Sequence, residues 1–298
     1  MKSQNKAVLN CKEETPAEKW EKAGIGNDLI FAHVMSNQEL FLGLMQRIFP
    51  ELHLVSVKEH TIQKTEYGTL ASKGVRFDVY SEIDGRCFDI EMQMQQEGDE
   101  RKRTRYYQSM MDVQSLRAGN PYDELPDSYI VMIGRFDLFG QGRHIYRFKN
   151  IELHDHALEL QDGTMKVFLS STGTADDIPQ DLKNFLKMVN GMAPADEFCR
   201  SIEREVQRIK QDAMVKEHFM DLEDKLRHER KRAREAGIQE GLNKGFSKGK
   251  QEGFCEGERC LLTLLKAMSA SDEAPSSIDR VLTDDEYREQ MYAKYSIK

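Results

Sequence analysis

The sequence predicts a mixed α/β domain with a central sheet flanked by helices, followed by a long helical C-terminal extension. An Asp84-Gly85 pair between two alternating segments is a strong β-hairpin signal. The apolar run at 127–134 is typical of a central strand covered on both faces. After Pro194 the composition changes, and 197–235 is highly charged and contains no Gly or Pro. The two parts of the chain are therefore expected to differ in architecture.

Length and composition limit the possible functions. The chain has 298 residues, 32% of them charged, and a formal net charge of −8. Such an acidic chain is not expected to coat DNA non-specifically, so DNA affinity should be modest, salt-dependent and local to a basic cleft. No long apolar window and no signal-peptide core is present, which predicts a cytoplasmic protein without membrane contact. The cysteines lack CxxC spacing, so we expect reduced thiols, with Cys87 and Cys199 buried, and no zinc site.

Five segments are expected along the chain. Residues 1–22 read as a polar, flexible N-terminal arm, tethered by Trp20, and 23–192 as the α/β domain. A charged helical extension follows at 193–236, then a repeat with glycine at every fourth residue at 237–260. Residues 261–298 form a C-terminal tail with a small helix at its end.

Within the domain, the helices and strands are predicted from the period of the apolar residues and from the residues that end such elements. The apolar spacing of 25–48 predicts one helix, which Pro50 ends, and 55–65 predicts a strand. Further strands are expected at 144–148 and 165–170, and a short amphipathic helix at 179–189. Two histidines flank Asp155, but no further ligand supports a metal site there, so a surface turn is favoured.

The hairpin at 75–93 has a well-specified register, because a one-residue slip would bury its charged side chains. A two-residue turn at Asp84-Gly85 sets the cross-strand pairs: Val79 with Ile90, Phe77 with Met92, Tyr80 with Asp89, Asp78 with Glu91 and Arg76 with Gln93. Val79, Ile90, Phe77 and Met92 are expected to share one apolar side.

Asp78 and Glu91 form the first candidate site. Facing carboxylates repel each other and destabilise a sheet, and a divalent cation between them reverses the sign of that interaction. The alternative is a half-exposed acidic strand on which Arg76 or Lys73 neutralises Asp78 without any metal. The residues alone leave both interpretations open.

A helix is expected at 99–118, ending at Gly119. It carries two polar stripes at helical spacing: Arg101, Arg105, Gln108 and Asp112 on one, and Arg103, Tyr107, Met110 and Gln114 on the other. Arginine suits bidentate contact with phosphate, whereas the alternative is a solvated basic face.

Five ordered blocks resemble the Rpn family of recombination-promoting nucleases, also labelled as transposases, within the PD-(D/E)XK superfamily. They are KGVRFDVY from Lys73, FDIEMQ from Phe88, RTRYYQS from Arg103, GNPYDEL from Gly119 and YIVMIGRFDLFG from Tyr129. The resemblance runs from about Gly24 to about Val189 and implies a restriction-endonuclease-like fold for 23–192.

The resemblance implies a metal-dependent DNA endonuclease. In the family pattern Asp78, Glu91 and Gln93 are the catalytic residues, and Asp78, Glu91 and the Met92 carbonyl hold Mg²⁺, with Mn²⁺ or Ca²⁺ as alternatives. Gln93 stands where the superfamily motif usually has lysine, although Gln is common in this family. A glutamine can orient water or phosphate but carries no positive charge.

The charge and position of the side chains, together with the same resemblance, give the residues expected to contact DNA. They are Arg76 on the hairpin, and Arg103, Arg105, Tyr107 and Gln108 on the helix after it. Among the helix residues, Arg105 and Gln108 are favoured as contacts. A basic run at 225–234 is either a further DNA contact or a solvated helix face.

The glycine repeat has no break from Gly237 to Gly257. In a helix these glycines form a slowly drifting stripe, and each costs about 1 kcal/mol relative to alanine. Close approach of a partner helix can compensate. We therefore expect a homo-oligomer or a helical partner through 197–260, and similar tails are frequent in the Rpn family.

Three functions remain open at this point. The first is a Mg²⁺-dependent DNA endonuclease associated with recombination or mobile elements, bound to the bacterial nucleoid when on DNA. The second is a nuclease-fold protein that binds or regulates DNA without cutting it, favoured only by Gln93. The third is an assembly module that acts through its glycine tail. No acidic triad of the DDE type is present, so cut-and-paste transposition does not follow.

Overall fold

The computed structural model describes residues 14–66, 74–271 and 273–297. The chain divides into two compact units, Met1–Glu223 and Asp224–Lys298. Among the helices of the described residues, none combines the length and the apolar character needed to cross a membrane.

The first unit contains a six-stranded sheet in the order β1-β2-β3-β4-β6-β5. The strands are β1 (Val57–Glu66), β2 (Val75–Ile83), β3 (Arg86–Gln93), β4 (Ser128–Gly134), β5 (Ile145–Phe148) and β6 (Thr164–Ser170). β3, β4 and β6 run parallel, and the other neighbouring strands pair antiparallel. The predicted mixed sheet is confirmed, and β4 is buried along its whole length, as its apolar run predicts.

Helices cover both faces of this sheet. They are α1 (Pro16–Lys22), α2 (Asp28–Met35), α3 (Gln38–Ile48), α4 (Glu100–Ser115), α5 (Gln180–Val189) and α6 (Glu197–Lys210). Ile90 and Val131 share the larger core with α2, α3, α5 and α6. On the other face, Cys87 and Ile130 pack beneath Met111 of α4. The architecture is consistent with a PD-(D/E)XK nuclease-like α/β fold. The predicted β5, β6 and α5 are confirmed within one residue at each end, whereas α4 ends three residues earlier than expected, at Ser115.

The N-terminal region differs from the sequence expectation in two places. Residues 16–22 are helical rather than a weakly ordered arm, because Thr15 and Glu18 form a capping box and Trp20 is buried. The ring of Trp20 lies 5.1 Å from that of Phe219. Residues 1–13 lie outside the described part of the chain.

The single helix expected at 25–48 is instead two helices, α2 and α3. The side chain of Asn37 accepts the backbone N–H groups of Glu39 and Leu40 at 3.0 and 3.3 Å, so it caps a new helix. The apolar period continues through this break, which is why it suggested one element.

The hairpin turn has the predicted form. Asp84 and Gly85 both have positive φ, 49° and 76°, and Val79 pairs with Ile90 as expected. The Asp84 carboxylate also accepts the N–H groups of Val55 and Ser56, at 2.7 and 2.9 Å. This aspartate therefore joins the turn to the segment before β1.

One packing expectation in the hairpin is wrong. Phe77 does not share a side with Val79 and Met92, because it packs in the cluster beneath α4, where its ring lies 5.5 Å from that of Tyr107. Val79 and Met92 belong to the opposite core. Side-chain alternation along β2 therefore breaks at Asp78.

The helix expected at 197–235 is also divided. α6 ends at Lys210, and Asp212 caps α7 (Ala213–Ala270) by accepting the N–H groups of Met214 and Val215, at 2.8 and 3.4 Å. The apolar residues of α6, such as Ile202 and Val206, belong to the core of the first unit. The first unit therefore extends past residue 192, to Glu223.

The second unit holds the rest of α7 with α8 (Pro275–Thr283) and α9 (Asp285–Lys294). Leu264, Met268, Val281 and Met291 form its small core. The helix predicted near the end of the tail is confirmed, but the tail carries a further helix, α8. A Cβ added at any glycine from Gly237 to Gly257 would meet no atom within 4 Å.

Candidate active site

Asp78 and Glu91 lie where β2 and β3 diverge. The backbone N–H of Asp78 donates to the Glu91 carboxylate at 3.0 Å, and the N–H of Met92 donates to the Asp78 carboxylate at 3.1 Å. The described strand pairing between β2 and β3 runs from Ile83–Arg86 to Val79–Ile90 and stops there. Each of these backbone N–H groups thus donates to a side-chain carboxylate of the neighbouring strand, where a regular ladder would offer a backbone carbonyl. The structure brings together the two acids that the sequence predicts as a pair.

Asp89 is a third carboxylate at this site, and its pattern in the sequence did not predict a function for it. It pairs with Tyr80, as predicted, and lies two residues before Glu91, on the same face of β3. Its side chain is completely buried, and neither carboxylate oxygen has a hydrogen-bond partner among the described residues. A signal for it existed in the Asp-x-Glu spacing of Asp89 and Glu91.

Burial dominates the electrostatics of these three acids. It raises the pKa of Asp78 to about 6, with a further increase from Asp28, while the Met92 N–H and the Arg76 and Arg103 charges act in the opposite direction. Burial followed by repulsion from the neighbouring acids raises the pKa of Glu91 and of Asp89 well above the usual range. Without a cation, the site therefore disfavours the charged form of all three acids, and the nearby arginines compensate only in part.

Asp28 of α2 is a further acid that acts on Asp78. It is the first residue of α2, directly after the N-cap Asn27. Its charge contributes to the raised pKa of Asp78. An acidic residue in a first helical turn is common, so nothing in the sequence pattern connects Asp28 with the hairpin.

The donor set fits a hard divalent cation. Within the described parts of the chain, no three Asp, Glu, His or Cys side chains come close enough to hold a metal ion by themselves. Asp78 and Glu91 each keep one oxygen that accepts no described hydrogen bond, and Mg²⁺ commonly takes one or two carboxylates and completes its shell with water and phosphate. The Met92 carbonyl stays a predicted third ligand.

Arg103 is the cation best placed beside these acids. Its Nη1 donates to Glu97 at 3.1 Å, whereas Nε and Nη2 are buried and have no hydrogen-bond partner among the described residues. Its charge lowers the pKa of both Asp78 and Glu91, which places it close to both. A guanidinium with two unused donors suits bidentate phosphate binding.

Arg76 and Tyr107 also border the site. Arg76 is exposed, and its charge lowers the pKa of Asp78. Burial, followed by the charge of Glu91, raises the pKa of Tyr107. The Tyr107 hydroxyl therefore stays protonated and can donate a hydrogen bond towards the acids. Lys73, the other residue considered as a neutralising partner, lies outside the described residues.

Gln93 lies at the end of β3 and is partly buried. Strand alternation places its side chain on the same face as those of Glu91 and Asp89. Its backbone carbonyl accepts the N–H of Arg135 at 3.2 Å. The position is compatible with a side chain that orients a water or phosphate beside Glu91.

Gln108 and Arg105 do not join this group. Gln108 is buried, and its amide donates to the Ser128 carbonyl at 2.8 Å and to the Ser128 hydroxyl. Ser128 pairs with Cys87, four residues before Glu91, which corresponds to about 13 Å along the strand. The expectation that Gln108 contacts DNA is therefore corrected: it fastens α4 to β4. Arg105 is exposed and has no described contact with the acids.

Residues 27–170 match the family model described as PD-(D/E)XK nuclease family transposase. This range contains the hairpin, α4 and all six strands of the sheet. No curated protein and no solved structure gives a significant match.

Proposed function

We propose that the chain is a metal-dependent DNA endonuclease, because residues 27–170 match the family model described as PD-(D/E)XK nuclease family transposase. It hydrolyses phosphodiester bonds in connection with DNA recombination or mobile elements. The observation that carries the proposal is the reciprocal bonding of Asp78 and Glu91 beside the unpartnered carboxylate of Asp89. Two buried acids beside a half-buried one are unfavourable unless a cation or a chemical task compensates.

In this proposal each residue has a defined role. Asp78, Glu91 and the Met92 carbonyl hold Mg²⁺, for which Mn²⁺ or Ca²⁺ can substitute as a ligand. When bound, the metal lowers the pKa of a water molecule and stabilises charge on the phosphate. Gln93 orients that water by hydrogen bonding and takes up no proton.

The phosphate contacts come from α4 and β2. Arg103 offers its two unused donors to a phosphate next to the scissile one, and Tyr107 donates from its protonated hydroxyl. Arg76 and Arg105 are exposed and contact phosphates further along the DNA strand. Their contribution to DNA affinity depends on the salt concentration. Since these contacts address phosphates, they carry no sequence preference.

A second candidate function is a nuclease-fold DNA-binding protein that does not cut. The specific observation that favours it is Gln93, which brings no positive charge to the three acids. Both candidates bind DNA, and both place the protein in the cytoplasm, at the nucleoid.

We also propose self-association through the glycine-bearing part of α7. Residues 197–223 belong to the first unit, so the proposed contact region narrows from 197–260 to 224–260. Its six glycines have open space at every Cβ position, which leaves room for a second helix.

The proposed activity is tested by nicking of supercoiled plasmid with purified full-length protein and Mg²⁺. Asp78→Ala and Glu91→Ala are each expected to abolish nicking while the circular dichroism spectrum is retained. Glu82→Ala is the matched control, because Glu82 lies on the same hairpin and pairs with Lys58 at 2.9 Å, away from the site.

The outcomes separate the candidates. Nicking by wild type and by Glu82→Ala alone supports the endonuclease. If the wild type binds plasmid but leaves it intact in Mg²⁺ and Mn²⁺, the non-cutting function replaces it. If Asp78→Ala cuts as fast as the wild type, the hairpin acids are not the catalytic site.

A further inference from the structure

A cavity lies on the α4 side of the sheet, apart from the three acids. It has a volume of about 330 Å³. Its walls come from four separate segments: Arg101 and Thr104 of α4, Phe139 of the loop after β4, Phe148 of β5 and Lys166 of β6. The proposed hydrolysis uses none of these residues.

The cavity has an aromatic floor. The Phe139 ring lies 5.0 Å from that of Phe148 and 5.3 Å from that of Phe168, and these contacts hold the rings in place. Phe148 nevertheless remains 43% exposed. A large aromatic side chain fixed in position on an edge strand but open to solvent offers a ring face to a flat ligand.

Cations surround this floor. The Arg101 guanidinium lies 5.0 Å above the Phe139 ring. Lys166 sits directly opposite Phe148 in the strand register and forms no described ion pair. Burial lowers the pKa of Lys166, although the charges of Asp162 and Asp112 act in the opposite direction. Lys149, at the rim, is already paired with Glu159 at 2.8 Å.

The cavity, Asp89 and Glu91 lie on one face of the sheet. Glu91 pairs with Met132, and Met132 pairs with Phe168, across parallel neighbouring strands. Phe148 lies one strand further, on β5, two residues along from Tyr146, which pairs with Phe168. At about 4.8 Å per strand and about 3.3 Å per residue, the Cα atoms of Glu91 and Phe148 are about 16 Å apart. This separation is about five nucleotides of a stacked DNA strand at about 3.4 Å each.

We propose that this cavity binds an unpaired nucleobase of the DNA strand held at the acids, so that the substrate class is DNA with a single-stranded segment. The inference rests on the proposed function in one respect: the same DNA strand must pass both the three acids and the cavity. A base within a duplex has both faces covered by its neighbours and cannot stack on Phe148. An unpaired base can do so, while Arg101 and Lys166 contact its flanking phosphates.

The test measures binding without cleavage. Full-length protein in EDTA, at one fixed salt concentration, is titrated by fluorescence anisotropy with a blunt duplex and with the same duplex carrying a short single-stranded gap. We expect about tenfold tighter binding to the gapped DNA, the size of one base-stacking contact. Phe148→Leu should remove this preference, and Phe148→Tyr should retain it.

Tyr122→Leu is the matched control, since Tyr122 is 89% exposed and lies outside the cavity. A 2-aminopurine base in the gap should lose fluorescence on binding to the wild type and to Phe148→Tyr, but not to Phe148→Leu. If paired and gapped DNA bind equally, or if Phe148→Leu keeps the preference, the inference is overturned. Because no cleavage is measured, an inactive protein that prefers gapped DNA leaves this inference standing while the proposed hydrolysis fails.

Discussion

The backbone N–H of Asp78 donates to the carboxylate of Glu91 at 3.0 Å, so a side chain of β3 satisfies the backbone of β2. The residue after Glu91 returns the interaction, because the Met92 N–H donates to the Asp78 carboxylate. The two acids are held by the strands themselves rather than by flexible loops, which favours a preorganised site. The same geometry keeps them close to each other and to Asp89 when no cation is bound, and this has measurable consequences for stability.

The first prediction concerns pH. Burial raises the pKa of Asp78 from 3.8 to about 6, so the folded state holds this proton more tightly than the unfolded state does. The stability that this contributes is fully present below about pH 4 and is lost as the pH rises through about 6. In EDTA, the unfolding free energy of the wild type should therefore fall more steeply over this range than that of Asp78→Asn. The difference is at most about 3 kcal/mol.

Urea unfolding at a series of pH values measures this difference. Glu82→Gln serves as the control, because its carboxyl is paired at the surface with Lys58. Parallel pH profiles for the wild type and Asp78→Asn would show that Asp78 is not the buried acid described here.

The second prediction is that a divalent cation restores the stability that the folded protein loses when these acids ionise. A ligand that binds only the folded state raises the unfolding free energy with its concentration. Millimolar Mg²⁺ should raise the melting temperature of the wild type at pH 7.5 and should have little effect on Asp78→Asn or Glu91→Gln. Sodium chloride at equal ionic strength controls for general screening. An equal shift with both salts would argue against a specific site.

The third prediction compares two arginines of α4. Arg103→Gln should lower plasmid nicking by about tenfold to hundredfold, because two buried donors beside the acids are lost. Arg105→Gln removes the same charge from an exposed position on the same helix and should change nicking less than threefold at fixed salt. If Arg105→Gln is as damaging as Arg103→Gln, phosphate is bound along the outer side of α4.

The fourth prediction addresses Gln93. A lysine at this position would bring a positive charge to the face that carries Asp89 and Glu91. Gln93→Lys should therefore raise the metal-free melting temperature and at least maintain the nicking rate in Mg²⁺, whereas Gln93→Ala should lower the rate. Thermal unfolding in EDTA and plasmid nicking measure the two effects separately. A destabilised Gln93→Lys would indicate that this side chain points away from the acids.

Local signals explain how much could be predicted from the sequence. The turn at Asp84-Gly85 and the period of two fixed the register as far as Val79 and Ile90. Beyond that pair the alternation breaks, because Phe77 turns to pack against Tyr107 of α4, a contact far from it in sequence. The pairing of two acids was therefore predictable, but the side taken by Phe77 was not.

Tertiary context decided the remaining differences. Among the described residues Asp89 is buried without a hydrogen-bond partner, which depends on tertiary packing, and the hydrogen bonds of Gln108 depend on the position of Ser128. The aromatic cavity joins α4, a loop and two strands, so no window of sequence could reveal it. By contrast, the break between α2 and α3 has a signal in the sequence, because Asn37 is a preferred N-cap residue. The continuous apolar period nevertheless suggested a single helix.

The fifth prediction concerns the glycine stripe of α7. In a monomer each glycine costs the helix about 1 kcal/mol relative to alanine, and a Cβ would meet no atom within 4 Å. The triple variant Gly245→Ala, Gly249→Ala, Gly253→Ala is therefore expected to gain helicity but to lose self-association, because the added methyl groups separate closely packed helices. The matched control replaces three exposed residues off the stripe by alanine: Asn243, Ser247 and Gln251. Light scattering with size-exclusion chromatography gives the mass, and far-ultraviolet circular dichroism gives the helicity. If the triple variant becomes more helical at an unchanged mass, the stripe is a solvent-facing surface and the proposed contact is wrong.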